Sequence, residues 1–179
     1  MDLDISPIAS KPNFKDDKII KKILRHEGTG KAIVTFDRYK NSLTDYCYWY
    51  LLSTLWVSYS GFSDLRLWKK LFLSNRPLQE QSIMKPSELR AFNHLPEHGI
   101  VAYRAKRINE TDCIAYTLDW TVAKKMALSR NVKLIHAYHL SKRDITALFL
   151  RRGEHEVIVL DKDKPHLIEI MEFQQEPSI

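Results

Sequence analysis

Three short segments in the second half of the chain carry residue types that strands and turns do not need in order to fold. The first, Val101-Ala102-Tyr103-Arg104-Ala105, puts an arginine inside an apolar, β-prone run. An unpaired guanidinium is prohibitively costly to bury. Arg104 therefore needs either a structural carboxylate or the phosphate or carboxylate oxygens of a ligand, for which its planar fork is suited. The second segment, Ala115-Tyr116-Thr117-Leu118-Asp119, sits where a strand gives way to a helix. Such a junction offers amide groups and a hydroxyl beside an anion-friendly helix start. Plain capping by Thr117 or Asp119 is the alternative use. The third, Arg152-Gly153-Glu154-His155-Glu156-Val157-Ile158-Val159, spaces two carboxylates two residues apart. On a strand, Glu154 and Glu156 share one face while Val157 and Val159 take the other. Carboxylates so placed can raise one another's pKa and suit stabilising a cation or taking a proton. An exposed acidic edge is the competing reading.

Other chemistries are excluded by what the sequence lacks. Cys47 and Cys113 lie far apart and neither belongs to a CxxC pair, so no disulfide framework or structural zinc site is expected, which suits a reducing cytoplasm. His136 and His139 have no carboxylate or cysteine at metal-ligand spacing, and no metal is expected. No P-loop, GxGxxG or Ser–His–Asp set is present. Tyr46 to Phe62 is uncharged, but it includes Ser53, Thr54, Ser58 and Ser60 and falls short of the roughly 20 apolar residues of a bilayer span. It reads as a buried core helix, with no membrane partner. Met1-Asp2-Leu3-Asp4 lacks the basic-then-apolar order of a signal peptide. The 28 Lys and Arg against 22 Asp and Glu draw the chain toward nucleic acid, anionic protein surfaces or a phosphate-bearing ligand.

The elements that must position these residues follow from periodicity. With 179 residues, 44% of them hydrophobic, and only 5 Gly and 7 Pro, the chain can bury a core and is neither disordered nor collagen-like. Residues 1–15, broken by Pro7, Pro12 and Asn13, read as a flexible arm. A helical region, 16–95, follows. Its first helix, Asp16 to His26, has Ile19, Ile20, Ile23 and Leu24 on one stripe, lysines on a solvated face, and a stop at Gly28 and Gly30. The Tyr46 helix gathers Tyr48, Leu51, Leu52, Leu55, Trp56 and Tyr59 on one face. A third helix, Ser63 to Ser74, is capped by Ser63 and buries Leu65, Trp68, Leu71 and Phe72. A short fourth starts at Lys85-Pro86-Ser87 and carries Leu89 and Phe92. From 96 to 179 strands dominate: Ile100–Ala105, Cys113–Leu118, Val132–Tyr138, Ile145–Leu150, Glu154–Leu160 and His166–Phe173, with one helix after Asp119. The fold class is α+β, the strand-rich region forming one compact unit with the helices.

In this order, Tyr103-Arg104-Ala105, a strand ending Tyr116-Thr117 before a helix, and Glu154-His155-Glu156-Val157 resemble the ADP-ribosyltransferase superfamily of the arginine–serine–glutamate, cholera-toxin-like type. The resemblance runs from about residue 95 to 173, and phage and bacterial members with YRG-like, WTLD-like and RxExEV-like segments look nearest. It implies a split antiparallel sheet against a helical N-terminal half, with NAD as co-substrate and no metal. By the same resemblance, Arg104 binds the NAD phosphates and braces the nicotinamide-ribose pocket. Glu156 matches the catalytic glutamate, which holds the nicotinamide-ribose 2′-hydroxyl and favours an oxocarbenium-like transition state. Glu154 engages the acceptor. Tyr116 stands where the family has its key serine, with Thr117 next to it; a tyrosine there is similar to the histidine–tyrosine–glutamate branch, where it stacks on nicotinamide. The implied activity is mono-ADP-ribosylation of a macromolecule, a protein arginine ahead of a nucleic-acid base. The implied setting is a toxin, defence protein or phage effector in the cytoplasm of a bacterial cell or phage-infected host, open to control by an antitoxin or other regulatory partner. A catalytically silent module binding protein or RNA, and an NAD glycohydrolase, are the alternatives.

Overall fold

The computed structural model describes residues 4–9, 14–59, 61 and 64–172, and its contacts fall into two compact units, Met1–Ala91 and Phe92–Ile179. Part of the expected arm, residues 1–3 and 10–13, lies outside the described residues. The part that is described is tethered, because the Asp4 carboxylate accepts hydrogen bonds from the Ser87 N–H (2.8 Å) and hydroxyl (2.6 Å).

The first unit is helical. Helix α1 (Phe14–Leu24) buries Ile19 and Ile23, and Asp16 beside them. A buried carboxylate needs donors; Asp16 accepts from the Thr44 N–H at 3.0 Å and from its hydroxyl at 2.6 Å. Two glycines after this helix suggested a stop, but only Gly28 takes a left-handed φ (+74°). Gly30 instead opens an unexpected helix, α2 (Gly30–Tyr39), capped by Thr29 and burying Ala32, Ile33 and Phe36. Helix α3 (Asp45–Ser58) is buried on more than the one expected face, since Trp49 and Ser53 are wholly enclosed with Tyr48, Leu51, Leu52 and Leu55. Their polar atoms are satisfied locally: Trp49 Nε1 donates to the Pro77 carbonyl (2.9 Å) and Ser53 to the Tyr50 carbonyl (3.0 Å). Helix α4 (Leu65–Phe72) is capped by Asp64, which accepts from the Arg66 and Leu67 N–H groups; Ser63, the expected cap, lies outside the described residues. Two more short helices follow, the unexpected α5 (Gln79–Ile83) and α6 (Pro86–Asn93).

The second unit is an α+β layer. Strands β1 (Ile100–Ala105), β2 (Ala115–Thr117), β3 (Leu134–Leu140), β4 (Ala147–Phe149), β5 (Glu156–Ile158) and β6 (His166–Glu172) form one antiparallel sheet in the order β4-β5-β2-β1-β3-β6. Helix α7 (Trp120–Arg130), capped by Asp119, brings Ala123 and Ala127 against Ala105 and Ile135, with Tyr103 and Trp120 packed around them. Small residues at that contact let helix and sheet approach closely. Along all six residues β1 pairs with β3, yet it meets β2 at the single pair Tyr103–Thr117. The sheet is therefore narrow at the β1–β2 seam. Among the described residues no helix is long and apolar enough to cross a membrane.

Candidate functional site

The three segments that carry unusual chemistry lie on β1, β2 and β5, which are consecutive neighbours in the sheet. Thr117 pairs with Tyr103 on one side and with Glu156 on the other. Residues directly opposite on antiparallel strands project to the same face, so Tyr103, Thr117 and Glu156 form one row. Tyr116 pairs with Val157 in the adjoining row. Strand alternation sends Arg104, the residue after Tyr103, and Tyr116 to the opposite face. The fold thus brings Thr117 and Glu156 together and Arg104 and Tyr116 together, but it does not aim the Arg104 fork at Glu156.

Arg104 is enclosed, with its side chain 11% exposed, and its partner is one that sequence reasoning missed. Nε donates to Glu110 at 2.8 Å and Nη2 donates to the other oxygen of the same carboxylate; Nη1 reaches the Ala115 carbonyl at 2.5 Å. Burial works against the cation, yet the hydrogen bond and charge of Glu110 outweigh it, so the guanidinium is held charged above its usual pKa. The bond to Ala115 stands in for ladder bonds that the narrow seam does not make. Three of the five guanidinium N–H groups are engaged in this way. The available signal for Glu110 was Arg104 itself, because a strand arginine demands a carboxylate and the following loop supplies one.

Behind Arg104 is a polar and aromatic cluster. The Cys113 thiol donates to the Tyr116 hydroxyl (3.2 Å), and Tyr116 meets Tyr138 edge-on at 5.3 Å between ring centres. Burial, then the Cys113 and Tyr138 neighbours, push the Tyr116 phenol well up, so it remains protonated. Burial also lowers His136, on the adjacent strand, which favours its neutral form.

On the other row, Thr117 is 2% exposed and works as a connector. Its hydroxyl donates to the Glu154 carbonyl (2.6 Å) and accepts from the Asp119 N–H (3.1 Å), while the Leu118 N–H donates to the His155 carbonyl (3.0 Å). The end of β2 is thereby stitched to the turn that delivers Glu156. That turn is strained: Arg152 (φ 68°), Gly153 (66°) and His155 (44°) all lie in the left-handed region. Each non-glycine residue held there costs on the order of 1–2 kcal/mol, and persists only where surrounding contacts over-determine it. The turn also corrects one expectation. The strand starts at Glu156, not Glu154, so alternation does not place the two carboxylates on one strand face. Glu154 instead pairs with Arg152 at 2.6 Å, and His155 Nδ1 lies 3.7 Å from Asp119. No group of three or more His, Cys, Asp or Glu suited to a metal ion occurs among the described residues.

No family model, curated protein or solved structure matches this chain.

Proposed function

We propose that the chain is an NAD-dependent mono-ADP-ribosyltransferase acting on a macromolecule. The observation that carries this reading is the adjacency of β1, β2 and β5, with Thr117 opposite Glu156, although these strands come from distant parts of the sequence. Breaking the nicotinamide–ribose bond sends the electron pair to nicotinamide and leaves positive charge on the sugar. A fixed carboxylate stabilises that charge more in the transition state than in the ground state, which is the role of Glu156 on this reading. The strained turn and the Thr117 links fix its backbone. The acceptor nucleophile then bonds to the ribosyl carbon and loses a proton, for which Glu154 at the turn is the available base. Arg104 lies on the opposite face of the sheet from Glu156, so a role for its remaining N–H groups on the pyrophosphate requires the dinucleotide to pass around the narrow seam and Glu110 to share or yield the fork.

That requirement is also what favours a second reading, a catalytically silent module in which Arg104–Glu110 is purely structural. Incubation with NAD separates the two. Free nicotinamide that is lost with Glu156→Gln supports transfer, and none with any acceptor supports the silent module. Release at an equal rate without acceptor identifies a glycohydrolase. With labelled NAD in lysate, label removed by protease marks a protein acceptor, and label removed by nuclease a nucleic acid.

A further inference from the structure

The chain's positive charge is not spread evenly. Met1–Ala91 holds 15 Lys and Arg against 10 Asp and Glu, whereas Phe92–Ile179 holds 13 against 12. Within the helical unit, α1 concentrates the excess. Lys15, Lys18, Lys21, Lys22 and Arg25 are all exposed, and the Arg25 N–H continues the helical pattern by donating to the Lys21 carbonyl. At 3.6 residues per turn these five cations occupy an arc of about 120° over about 15 Å. Of the acidic residues nearby, Asp16 is buried against Thr44, Asp37 is held by Lys40 at 2.5 Å, and the exposed Asp17 flanks the arc at its edge.

A second observation points to what the arc meets. Phe14 is 80% exposed. Its position falls between Lys21 and Arg25 on the helical wheel, so Phe14, Lys18, Lys21 and Arg25 follow one another along a single ridge. The ring is exposed on the same ridge as the cations, where a planar group held by them can stack on it. Base stacking on an aromatic ring flanked by backbone-tracking cations is how single strands are bound without sequence preference. Membrane adsorption would need an apolar face to bury, and the apolar stripe of α1, Ile19 and Ile23, is already committed to the core.

We propose that α1 is a docking ridge for single-stranded nucleic acid, with its cations on the phosphodiester backbone and Phe14 stacked on a base. This does not depend on the transferase reading, because α1 lies in the helical unit and the test reads oligonucleotide binding without NAD. The test is fluorescence anisotropy of the full chain with a short labelled single-stranded DNA or RNA across a salt series. Five backbone contacts give a slope of log affinity against log salt of about −3.5, and Lys18→Gln with Arg25→Gln should bring it to about −2.1. A control that removes equal charge elsewhere, Arg66→Gln with Lys70→Gln on α4, should leave the slope alone. Phe14→Ala should weaken single-strand binding about tenfold without changing the slope, with circular dichroism showing that helix content is kept. The proposal is overturned by an absence of binding, by an equal slope change in the α4 control, by a Phe14→Ala variant that binds normally, or by tighter, Phe14-dependent association with phosphatidylserine vesicles than with the oligonucleotide.

Discussion

The two units treat charge in opposite ways. In the helical unit the excess cations face water, and the buried carboxylate of Asp16 accepts from an N–H and a hydroxyl of Thr44, which makes a joint between α1 and the residue before α3. The sheet unit is close to charge balance but draws ionisable groups inward, with the Arg104–Glu110 pair enclosed at the β1–β2 seam. A hydrogen-bonded carboxylate anchors structure and offers nothing further. An enclosed guanidinium with N–H groups to spare can be both a strut and a site. The contrast locates candidate chemistry in the sheet and candidate docking on the helices.

The sharpest way to break that contrast is kinetic. On the transferase reading, Glu156→Gln lowers nicotinamide release by about 10²–10⁴-fold; a variant that releases nicotinamide normally removes the sheet unit's claim to chemistry. Next in size is Arg104→Met, which strands Glu110 without a partner and is expected to lower unfolding free energy by about 3–5 kcal/mol in a urea titration. Adding Glu110→Leu should restore most of that loss, since a well-packed apolar pair can replace a buried ion pair. Failure of the double variant to recover would mean that the pair's position at the seam matters beyond its charge balance. In the helical unit, Asp16→Ala leaves the Thr44 N–H and hydroxyl without their partner, with an expected loss of about 1–3 kcal/mol, measurable in the same titration.

The smallest effect is a pH dependence at the start of α7. The Asp119 carboxyl sits below its ordinary 3.8 because the Thr121 hydroxyl and N–H bond to its charged form. Its folded-state pKa is depressed, so the folded protein binds fewer protons than the unfolded chain between the two values. The contribution to stability is complete above 3.8 and fades as pH falls through the lower folded value. An NMR titration of the Asp119 carboxyl carbon should show this depression, and Thr121→Val should raise the midpoint.

Much of the fold was legible along the chain where local rules decide. Strand β1 begins and ends where alternation placed it, and Asp119 caps α7 as its position before Trp120 suggests. Local rules failed where neighbours decide. Helix α2 was hidden because Gly30 looked like a stop, though burial of Ile33 and Phe36 outweighs glycine's weak propensity. The start of β5 was misplaced because the strained turn at Arg152–His155 is stabilised by Thr117 and Leu118 from another strand. Glu110 gave no periodic signal, being a loop residue.

Sequence alone determined most of the kinds of element, the order of the three unusual segments and the solvated lysines of α1, because propensity, period and charge are properties of residues a few positions apart. Only the tertiary structure decided that Thr117 meets Glu156, that Arg104 turns to the other face, and that Glu110 takes its fork. Strand register and the partner of a buried charge depend on which distant segments pack together, and no local pattern encodes that choice.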